Sequence, residues 1–244
     1  MPPKTTLITG AGRRLGAAIS EALHGSGHNV ILHYRQSAAD AEVLCRALNA
    51  RRPDSARTLR GDLQDTATLE ELVDRAADFW NGLTALVNNA SGFYATPFGD
   101  ISEEQWNDLM GSNLKGPFFL SQAAARYLRT EHGAIVNIID VHAERMLKDF
   151  PVYSIAKAGL AAMTKSLAKE LAPWVRVNGV APGAILWPEK PMESSEQDTV
   201  VERIPLKRTG KPEDIAQAVV YFVDEAHYVT GQVLFVDGGR SLFS

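Results

Sequence analysis

Two side chains with complementary proton chemistry stand four residues apart in the run Val152-Tyr-Ser-Ile-Ala-Lys-Ala-Gly. The run has a helical pattern, so Tyr153 and Lys157 should share one helix face. A neighbouring ammonium favours a phenolate, which predicts a Tyr153 pKa below its ordinary value near ~10. The pair therefore predicts a proton donor with its tuning group. A surface Tyr/Lys pair with apolar stems has the same spacing and is the alternative.

Two further polar residues belong to this candidate chemistry. Asp140 directly follows an apolar run that ends Asn137-Ile-Ile, just upstream of the pair, and Asn113 stands in Ser-Asn-Leu-Lys-Gly-Pro. Asn113 can cap or distort a helix and hold a water beside Lys157, or it can point to solvent from a helix interior. His142, two residues past Asp140, can contact a substrate, but a loop histidine with no metal-ligand partner more often has no role in the site, and it is not assigned one here. No His/Cys/carboxylate cluster has metal-ligand spacing, so no metal is expected.

A glycine-rich turn follows the first apolar run, as Thr9-Gly-Ala-Gly-Arg-Arg-Leu-Gly, and opens into a helical pattern. Glycines there permit a tight turn and bring a pyrophosphate close to backbone N–H groups at a helix N-terminus. An ordinary strand–helix turn is the alternative. The candidate cofactor residues of this turn are Gly10, Arg13, Arg14, Leu15 and Gly16.

The second apolar run ends in His33-Tyr34-Arg35-Gln36-Ser37. An NAD enzyme places an acid near this position to bind the ribose hydroxyls, and none stands here. Arg35 can instead pair with a ribose phosphate, and Ser37 can donate to it. The segment therefore favours NADPH over NADH, with a solvated strand-end arginine as the alternative.

Polar turns also follow the third and fourth apolar runs, as Asp62-Leu63 and as Asn88-Asn89-Ala90-Ser91. Ligands of open parallel sheets bind beyond the carboxyl ends of strands, which makes these residues cofactor candidates. Asp and Asn also favour turns whatever the function, so only their order after the glycine-rich turn gives them weight.

The elements that must position these groups alternate between short β-rich runs and helical patterns. Parallel strands need right-handed crossovers that cover both sheet faces, so the chain is predicted to be an α/β protein, one Rossmann-like doubly wound domain over residues 1–244. The seven candidate strands are Thr5–Thr9, Asn29–Tyr34, Arg57–Gly61, Ala85–Asn88, Ala134–Ile139, Val175–Val180 and Val233–Val236.

Composition excludes several classes of protein. Hydrophobic residues make up 45% and charged residues 22% of 244, as in ordinary globular domains. The net charge of -4 gives no basic surplus for nucleic acid. No export signal precedes the first apolar run, and Cys45 is the single cysteine. We therefore expect a cytoplasmic protein that binds neither nucleic acid nor membrane.

The order of these motifs resembles the short-chain dehydrogenases/reductases across essentially the whole chain. The matching set runs from Gly10 to Gly16 through Asp62, Asn88-Asn-Ala, Asn113, Tyr153/Lys157, Pro182-Gly183 and Val236-Asp-Gly-Gly. The resemblance implies a homotetramer in which Asn113, Tyr153 and Lys157 form the catalytic relay. It also implies that Tyr153, Lys157, Pro182, Gly183 and Ile185 contact the cofactor.

Three departures from the general family pattern point to one branch. Arg14 stands at a usual glycine, Ser91 follows Asn-Asn-Ala, and Asp140 stands at the usual catalytic serine. With Phe93, they resemble the pteridine reductases and the related bacterial dihydromonapterin reductases. The resemblance implies a pterin held by Arg14, Ser91, Phe93, Asp140, Tyr153 and Trp187.

The replacement at position 140 has a chemical consequence. A carboxylate would repel the alkoxide that forms when a ketone is reduced, whereas a carboxyl can supply or relay a proton to the nitrogen of a C=N bond. We therefore expect NADPH-dependent reduction of dihydrobiopterin, dihydromonapterin or dihydrofolate to the tetrahydro form, in tetrahydrobiopterin or folate metabolism. A mobile substrate flap is expected at about 184–205. The alternatives are a carbonyl reductase acting on a 3-oxoacyl thioester or small ketone, and a non-catalytic NADPH sensor.

Overall fold

A computed structural model describes residues 4–187 and 194–242, without the side chains of residues 194–196. Seven strands form one sheet in which every neighbouring pair is parallel, in the order β3-β2-β1-β4-β5-β6-β7. They are β1 (Thr5–Ile8), β2 (Asn29–Tyr34), β3 (Ala56–Arg60), β4 (Ala85–Asn88), β5 (Ala134–Ile138), β6 (Arg176–Pro182) and β7 (Val233–Val236).

Eight α-helices connect or flank these strands in the described part of the chain. They are α1 (Arg14–Gly25), α2 (Ala38–Arg51), α3 (Leu69–Asp78), α4 (Glu103–Met110), α5 (Gly116–Thr130), α6 (Pro151–Leu171), α7 (Ser194–Glu202) and α8 (Pro212–Val220). A π-helical turn, Gly111–Lys115, joins α4 to α5, and a second, Tyr221–Glu225, follows α8.

The helices cover the sheet because each buries one apolar stripe. In α3, Leu69, Leu72, Val73 and Ala76 recur at helical spacing and are all buried. One face of the sheet packs against α1, α2 and α8, and the other packs against α3, α5 and α6. Both faces of the central strands are therefore dry, which explains their nearly continuous apolar sequences.

The predicted fold class is confirmed: a single seven-stranded parallel sheet with helices on both faces. All seven predicted strands exist: three have the predicted bounds, and the ends of the other four differ by at most two residues. Part of the predicted flap, residues 194–202, forms helix α7. Residues 188–193 of the predicted flap lie outside the described residues. No helix in the described ranges is both long and apolar enough to cross a membrane.

The strand order changes direction between β1 and β4. Chain crossovers leave β1 toward β2 on one side and reach β4 on the other, so a crevice opens above the carboxyl ends of these two strands. The glycine-rich turn follows β1 and the Asn-Asn turn follows β4. The fold therefore brings the two segments together at the place where open α/β sheets bind ligands.

Candidate active site

The glycine-rich turn is shaped for close approach of a ligand to the backbone. Gly10 has a φ of +61°, and a Cβ built on Gly16 would lie 2.1 Å from the Gly10 carbonyl oxygen. Neither position therefore accepts a side chain without rearrangement. Arg14, which begins α1, also has a positive φ of 53°. The turn delivers the N-terminus of α1 to the crevice, where the helix dipole favours an anion.

His33 forms a hydrogen bond with the backbone of this turn. Its Nδ1 accepts a hydrogen bond from the Gly10 N–H at 3.4 Å, so Nε2 carries the proton and donates to the Gly61 carbonyl at 3.2 Å. Burial lowers the pKa of His33 to about 4, so the ring is neutral at physiological pH. His33 was predicted to bind the cofactor; it borders the crevice, but both ring nitrogens are occupied by the protein.

Asn89 and Thr9 join the two strand ends at the crevice. The Asn89 side chain donates to the carbonyls of Thr9 at 2.8 Å and Gly10 at 3.1 Å. The Thr9 hydroxyl accepts from the N–H groups of Asn89 and Ala90, both at 2.9 Å. The glycine-rich turn and the Asn-Asn turn are therefore locked to each other before any ligand binds.

A cavity of about 430 Å³ occupies the crevice. Arg35 at its far end forms an exposed ion pair with Asp62 at 3.9 Å, and no carboxylate stands at the end of β2 itself. The predicted cofactor residues that line this cavity are Gly10, Arg13, Arg14, Leu15, Gly16, His33, Tyr34, Arg35, Ser37, Asp62, Leu63, Asn89, Ala90 and Ser91.

A second cavity of about 450 Å³ continues from the first. The two share Arg14, Leu15, Asn89 and Ser91, so they form one groove. The remaining predicted cofactor residues line the second cavity: Tyr153, Lys157, Pro182, Gly183 and Ile185. All six predicted substrate residues also line it: Arg14, Ser91, Phe93, Asp140, Tyr153 and Trp187.

Tyr153 and Asp140 are directly bonded in this second cavity. The phenol oxygen donates to Asp140 Oδ2 at 2.7 Å, while Asp140 Oδ1 accepts from the backbone N–H of His142 at 2.8 Å. Burial of the phenol and the adjacent Asp140 carboxylate raise the pKa of Tyr153 well above its ordinary value. The predicted lowering of this pKa by Lys157 is wrong for the protein without its cofactor, because burial and Asp140 raise it.

Lys157 lies beneath the phenol. Its Nζ donates to the Ile138 carbonyl at 2.9 Å and lies 5.7 Å from the centre of the Tyr153 ring. Burial lowers the pKa of Lys157 to about 8, with the Asp140 charge acting in the opposite direction. The two residues share one face of α6, as their spacing predicts.

Asn113 lies in the π-helical turn between α4 and α5 and is fully buried. Its amide donates to the carbonyls of Gly92 and Leu109, both at 3.0 Å, and its Oδ1 accepts from the Ser91 hydroxyl at 2.7 Å. The helix distortion expected at Asn113 is present. Among the described contacts, this side chain holds the loop after β4 rather than lining either cavity, and its place in a proton relay stays a prediction.

Aromatic rings form one wall of the second cavity. Phe93 stacks on Phe150 with centroids 4.7 Å apart and meets Tyr153 edge-on at 4.9 Å. Phe93 is nevertheless 48% exposed and lines the second cavity. Across the groove, an Arg14 amino group donates to the Trp187 carbonyl at 3.1 Å. The cavity thus offers a flat apolar wall near its hydrogen-bonding groups.

Sequence reasoning missed several lining residues. His142, read as a bystander, lines the second cavity, and Arg240 enters it from the turn that follows β7. Only the return of the chain to the sheet edge brings Arg240 there, so no local pattern could reveal it. The other missed residues are Gln36, Gln64, Gly92, Asp108 and Ser112 in the first cavity, and Ile138, Ile139, Leu147, Ala184, Leu186 and Val200 in the second.

Within residues 4–187 and 194–242, no group of three or more His, Cys, Asp or Glu side chains is arranged to hold a metal ion. The polar groups of the groove are instead a phenol, an ammonium, a carboxylate and guanidinium groups. Such a set can bind anions and transfer protons.

Comparison with known proteins gives the chain a family. Residues 10–241 match the family described as enoyl-(acyl carrier protein) reductase. Pteridine reductase 1 of Leishmania tarentolae is 38% identical, over 97% of this chain and 96% of that protein. The 3-oxoacyl-(acyl-carrier-protein) reductase FabG of Staphylococcus aureus is 33% identical, over 97% of each chain.

A third relative, 3beta-hydroxysteroid dehydrogenase 1 of Eggerthella lenta, is 34% identical, over 98% of this chain and 94% of that protein. The relatives thus differ in the substrates that their names give, while the match spans nearly the whole length of each. Together with the parallel sheet and its Tyr153/Lys157 pair, these matches show that the chain is an oxidoreductase that belongs to the short-chain dehydrogenase/reductase family.

Proposed function

We propose that this protein is an NADPH-dependent reductase that acts on the C=N bond of a dihydropterin, such as dihydrobiopterin, dihydromonapterin or dihydrofolate. The observation that carries the proposal is the 2.7 Å hydrogen bond from the Tyr153 hydroxyl to the Asp140 carboxylate inside the second cavity. In an enzyme that reduces ketones, this carboxylate would place a negative charge beside the alkoxide that develops on the substrate, which is unfavourable.

The groove fits a nicotinamide cofactor. The glycine-rich turn leaves no room for a Cβ at Gly16, which suits a backbone that approaches a pyrophosphate at the N-terminus of α1. Arg35 and Ser37 line the end of the first cavity that would hold the adenosine ribose, which supports NADPH over NADH. When bound with its nicotinamide near Tyr153 and Lys157, this cofactor supplies a hydride to the substrate carbon.

Tyr153 and Asp140 can supply the proton that the substrate nitrogen takes up. A raised pKa keeps the Tyr153 phenol protonated at neutral pH, so it is an acid and not a base in the resting site. Asp140 holds the phenol in one orientation and can pass on a proton that arrives from the solvent side of the cavity. The nitrogen of a reduced C=N bond becomes basic as it gains electron density, so it can take the Tyr153 proton.

The cavity walls suit a flat bicyclic substrate. The partly exposed ring of Phe93 can stack on a pterin ring, while Arg14 and Ser91 at the junction of the two cavities can bond its polar edge. The 38% identity to a pteridine reductase is consistent with this substrate class.

Carbonyl reduction is the second candidate, because two of the similar proteins are named as a 3-oxoacyl-(acyl-carrier-protein) reductase and a hydroxysteroid dehydrogenase at 33% and 34% identity. In that case Asp140 would be tolerated and not used, and Tyr153 would protonate an alkoxide.

The first experiment follows NADPH oxidation at 340 nm by the purified protein. Dihydrobiopterin and dihydrofolate are compared with an acetoacetyl thioester, and each is repeated with NADH. We expect pterin-dependent oxidation with a preference for NADPH, and we expect Asp140→Ser to lose it by a factor of about 10²–10⁴, the usual contribution of a positioned acid–base group. Turnover of the thioester alone, unaffected by Asp140→Ser, would reject the pterin proposal in favour of carbonyl reduction.

We further propose a homotetramer in the cytoplasm. The support for assembly is an apolar surface on α4, α5 and α6 that includes Trp106, Phe118, Phe119 and Ile155, each 37–45% exposed. Exposed large apolar groups on neighbouring helices are typical of subunit interfaces. The free thiol of Cys45 is compatible with a reducing compartment.

A further inference from the structure

Arg240 is held in the wall of the second cavity by its backbone. It begins a short helical turn after β7, and the Asp237 carboxylate ties that turn by accepting from the N–H groups of Gly239 at 2.9 Å and Ser241 at 2.6 Å. A guanidinium nitrogen of Arg145 donates to the Arg240 carbonyl at 3.3 Å. The backbone at residue 240 is therefore fixed, and its side chain lines the cavity that contains Tyr153 and Asp140.

The guanidinium of Arg240 makes no hydrogen bond and no ion pair with any other residue in the part of the chain that the structure describes. The two nearby acids do not pair with it because their oxygens have other donors. Asp140 accepts from Tyr153 and from the His142 N–H. Asp237 accepts from the two N–H groups of its own turn.

The charge around Arg240 favours an added anion. Burial lowers the pKa of this guanidinium, and the positive charges of Arg203 and Arg145 act in the same direction, against Asp140 and Asp237. A half-buried cation with five donors and no acceptor is unfavourable unless a ligand supplies the acceptors. The planar fork of an arginine matches a carboxylate or phosphate in a bidentate geometry.

We propose that Arg240 is a specificity-determining residue that binds an oxyanion on the outer part of the substrate. The inference rests on the proposed pterin function and narrows it to dihydropterins with an anionic side chain. A carboxylate, as on the glutamyl group of dihydrofolate, and a phosphate, as on dihydroneopterin 3′-monophosphate, share this chemistry. Dihydrobiopterin, whose side chain is neutral, lacks it.

The test compares dihydrofolate, dihydroneopterin 3′-monophosphate and dihydrobiopterin with the wild-type protein, Arg240→Gln and Arg240→Lys. We expect Arg240→Gln to lower kcat/KM about 10- to 100-fold for an anionic substrate, chiefly through KM, and less than twofold for dihydrobiopterin. Arg240→Lys should restore part of the loss, since it keeps the charge without the fork. Whichever anionic substrate suffers the larger loss identifies carboxylate or phosphate as the preferred group.

Arg208→Gln is the matched control, because Arg208 is an exposed arginine of the same region that pairs with Asp214 at 3.6 Å and does not line this cavity. Equal losses for charged and neutral pterins in Arg240→Gln would overturn the inference, since they would mean that Arg240 acts through Asp140 on chemistry common to all three. Unchanged kinetics in that variant would overturn it as well.

A binding measurement separates this inference from the proposed function. Dissociation constants of folate and biopterin for the protein with NADP⁺ are measured by quenching of tryptophan fluorescence. Folate binding that weakens about tenfold or more in Arg240→Gln, with biopterin binding unchanged, supports the inference even if no pterin is turned over. Folate binding that is no tighter in the wild type than in Arg240→Gln rejects it, even if pterins are reduced.

Discussion

Asp140 makes two hydrogen bonds that fix its carboxylate beside Tyr153 and so affect the protonation of the phenol. One oxygen is held by the backbone N–H of His142, and the other accepts the phenol proton. The carboxylate therefore cannot turn away from Tyr153 without losing a charge-assisted hydrogen bond. Burial of the phenol and, after it, the fixed negative charge of Asp140 disfavour ionisation, which explains why the pKa of Tyr153 is raised.

Replacing Asp140 with Asn should lower the pKa of Tyr153. The amide has nearly the same shape but no charge, so the phenolate is no longer repelled, whereas burial of the phenol persists. The contribution of Tyr153 to the tyrosinate absorbance near 295 nm should therefore appear at a lower pH in Asp140→Asn than in the wild type.

The double variant Asp140→Asn/Tyr153→Phe supplies the control for this titration. Tyr94, whose pKa burial and Asp108 raise to about 12, contributes the same background in every variant. If the early rise persists in the double variant, another tyrosine causes it, and the assigned effect of Asp140 on Tyr153 is wrong.

Lys157 should reduce the stability of the protein without cofactor. Its pKa falls from 10.5 to about 8 on burial, and each pKa unit corresponds to about 1.4 kcal/mol, so the buried charge costs up to about 3 kcal/mol at neutral pH. We expect the free energy of unfolding of Lys157→Met at pH 7, measured by urea denaturation, to exceed that of the wild type by about 1–3 kcal/mol. The variant should also lose turnover.

The pH dependence checks the same assignment. Between pH 8 and 10.5 the unfolded chain binds the Lys157 proton more tightly than the folded chain, so this residue makes the free energy of unfolding rise with pH there. The rise should be smaller in Lys157→Met. A variant that is less stable than the wild type at pH 7 would contradict the predicted cost of burial.

At the scale of elements, the contact between the glycine-rich turn and α1 sets the shape of the cofactor end. A methyl group at Gly16 would collide with the Gly10 carbonyl and with the Asn89 amide, 2.1 Å and 2.8 Å from the ideal Cβ. We expect Gly16→Ala to lower the free energy of unfolding by about 1–3 kcal/mol and to weaken NADPH binding, because the turn must open. Urea denaturation and NADPH fluorescence titration measure both effects.

Gly25→Ala is the matched control, since it changes a glycine of the same helix. No atom lies within 4 Å of a Cβ built on Gly25, and the residue stands at the end of α1, where alanine costs no contact. This variant should bind NADPH as the wild type does. Similar losses in both variants would mean that helix α1 responds to any added methyl group and that the turn has no special constraint.

The same elements show how far the sequence determines the fold. The strand positions follow from short β-rich runs separated by helical patterns, and the polar turns after β1 and β4 follow from the parallel sheet that these runs imply. The pairing of Tyr153 with Asp140 also follows, because α6 begins shortly after β5 ends.

Other features depend on contacts between distant parts of the chain. The π-helical turn at Asn113 forms because the amide bonds the Gly92 carbonyl, 21 residues away. His33 on β2 bonds Gly10 and Gly61, which follow β1 and β3, the two strands that flank β2 in the folded sheet. The position of Arg240 depends on where β7 joins the sheet edge. None of these contacts leaves a local sequence pattern.

At the scale of the whole molecule, buried neutral histidines bond the sheet to the segments around it. His28 bonds the Thr6 hydroxyl at 2.7 Å and Asp224 at 3.0 Å, and His24 bonds the Ser55 hydroxyl at 2.7 Å. Burial lowers the pKa of both, as it does for His33. The folded protein is therefore more stable when all three imidazole rings are neutral than when they carry an added proton.

Mild acid should destabilise the protein through these histidines. For His33 the folded pKa of about 4 lies below the ordinary value of 6.5, so the unfolded chain binds the proton first as the pH falls. The loss begins near pH 6.5 and reaches about 3 kcal/mol for His33 alone near pH 4. Carboxylates with lowered pKa, such as Asp74 and Asp224, add their losses only below their ordinary pKa of 3.8. Urea unfolding between pH 7 and 4.5 therefore isolates the histidine contribution.

Between pH 7 and 4.5, the free energy of unfolding should fall by about 2 kcal/mol less in His33→Asn than in the wild type. The reason is that an asparagine oxygen can still accept from the Gly10 N–H but takes no proton. The surface variant His227→Asn should keep the wild-type slope, because it removes an exposed ring. Equal slopes for the wild type and His33→Asn would mean that His33 takes up a proton as easily in the folded as in the unfolded chain, so that burial would not lower its pKa.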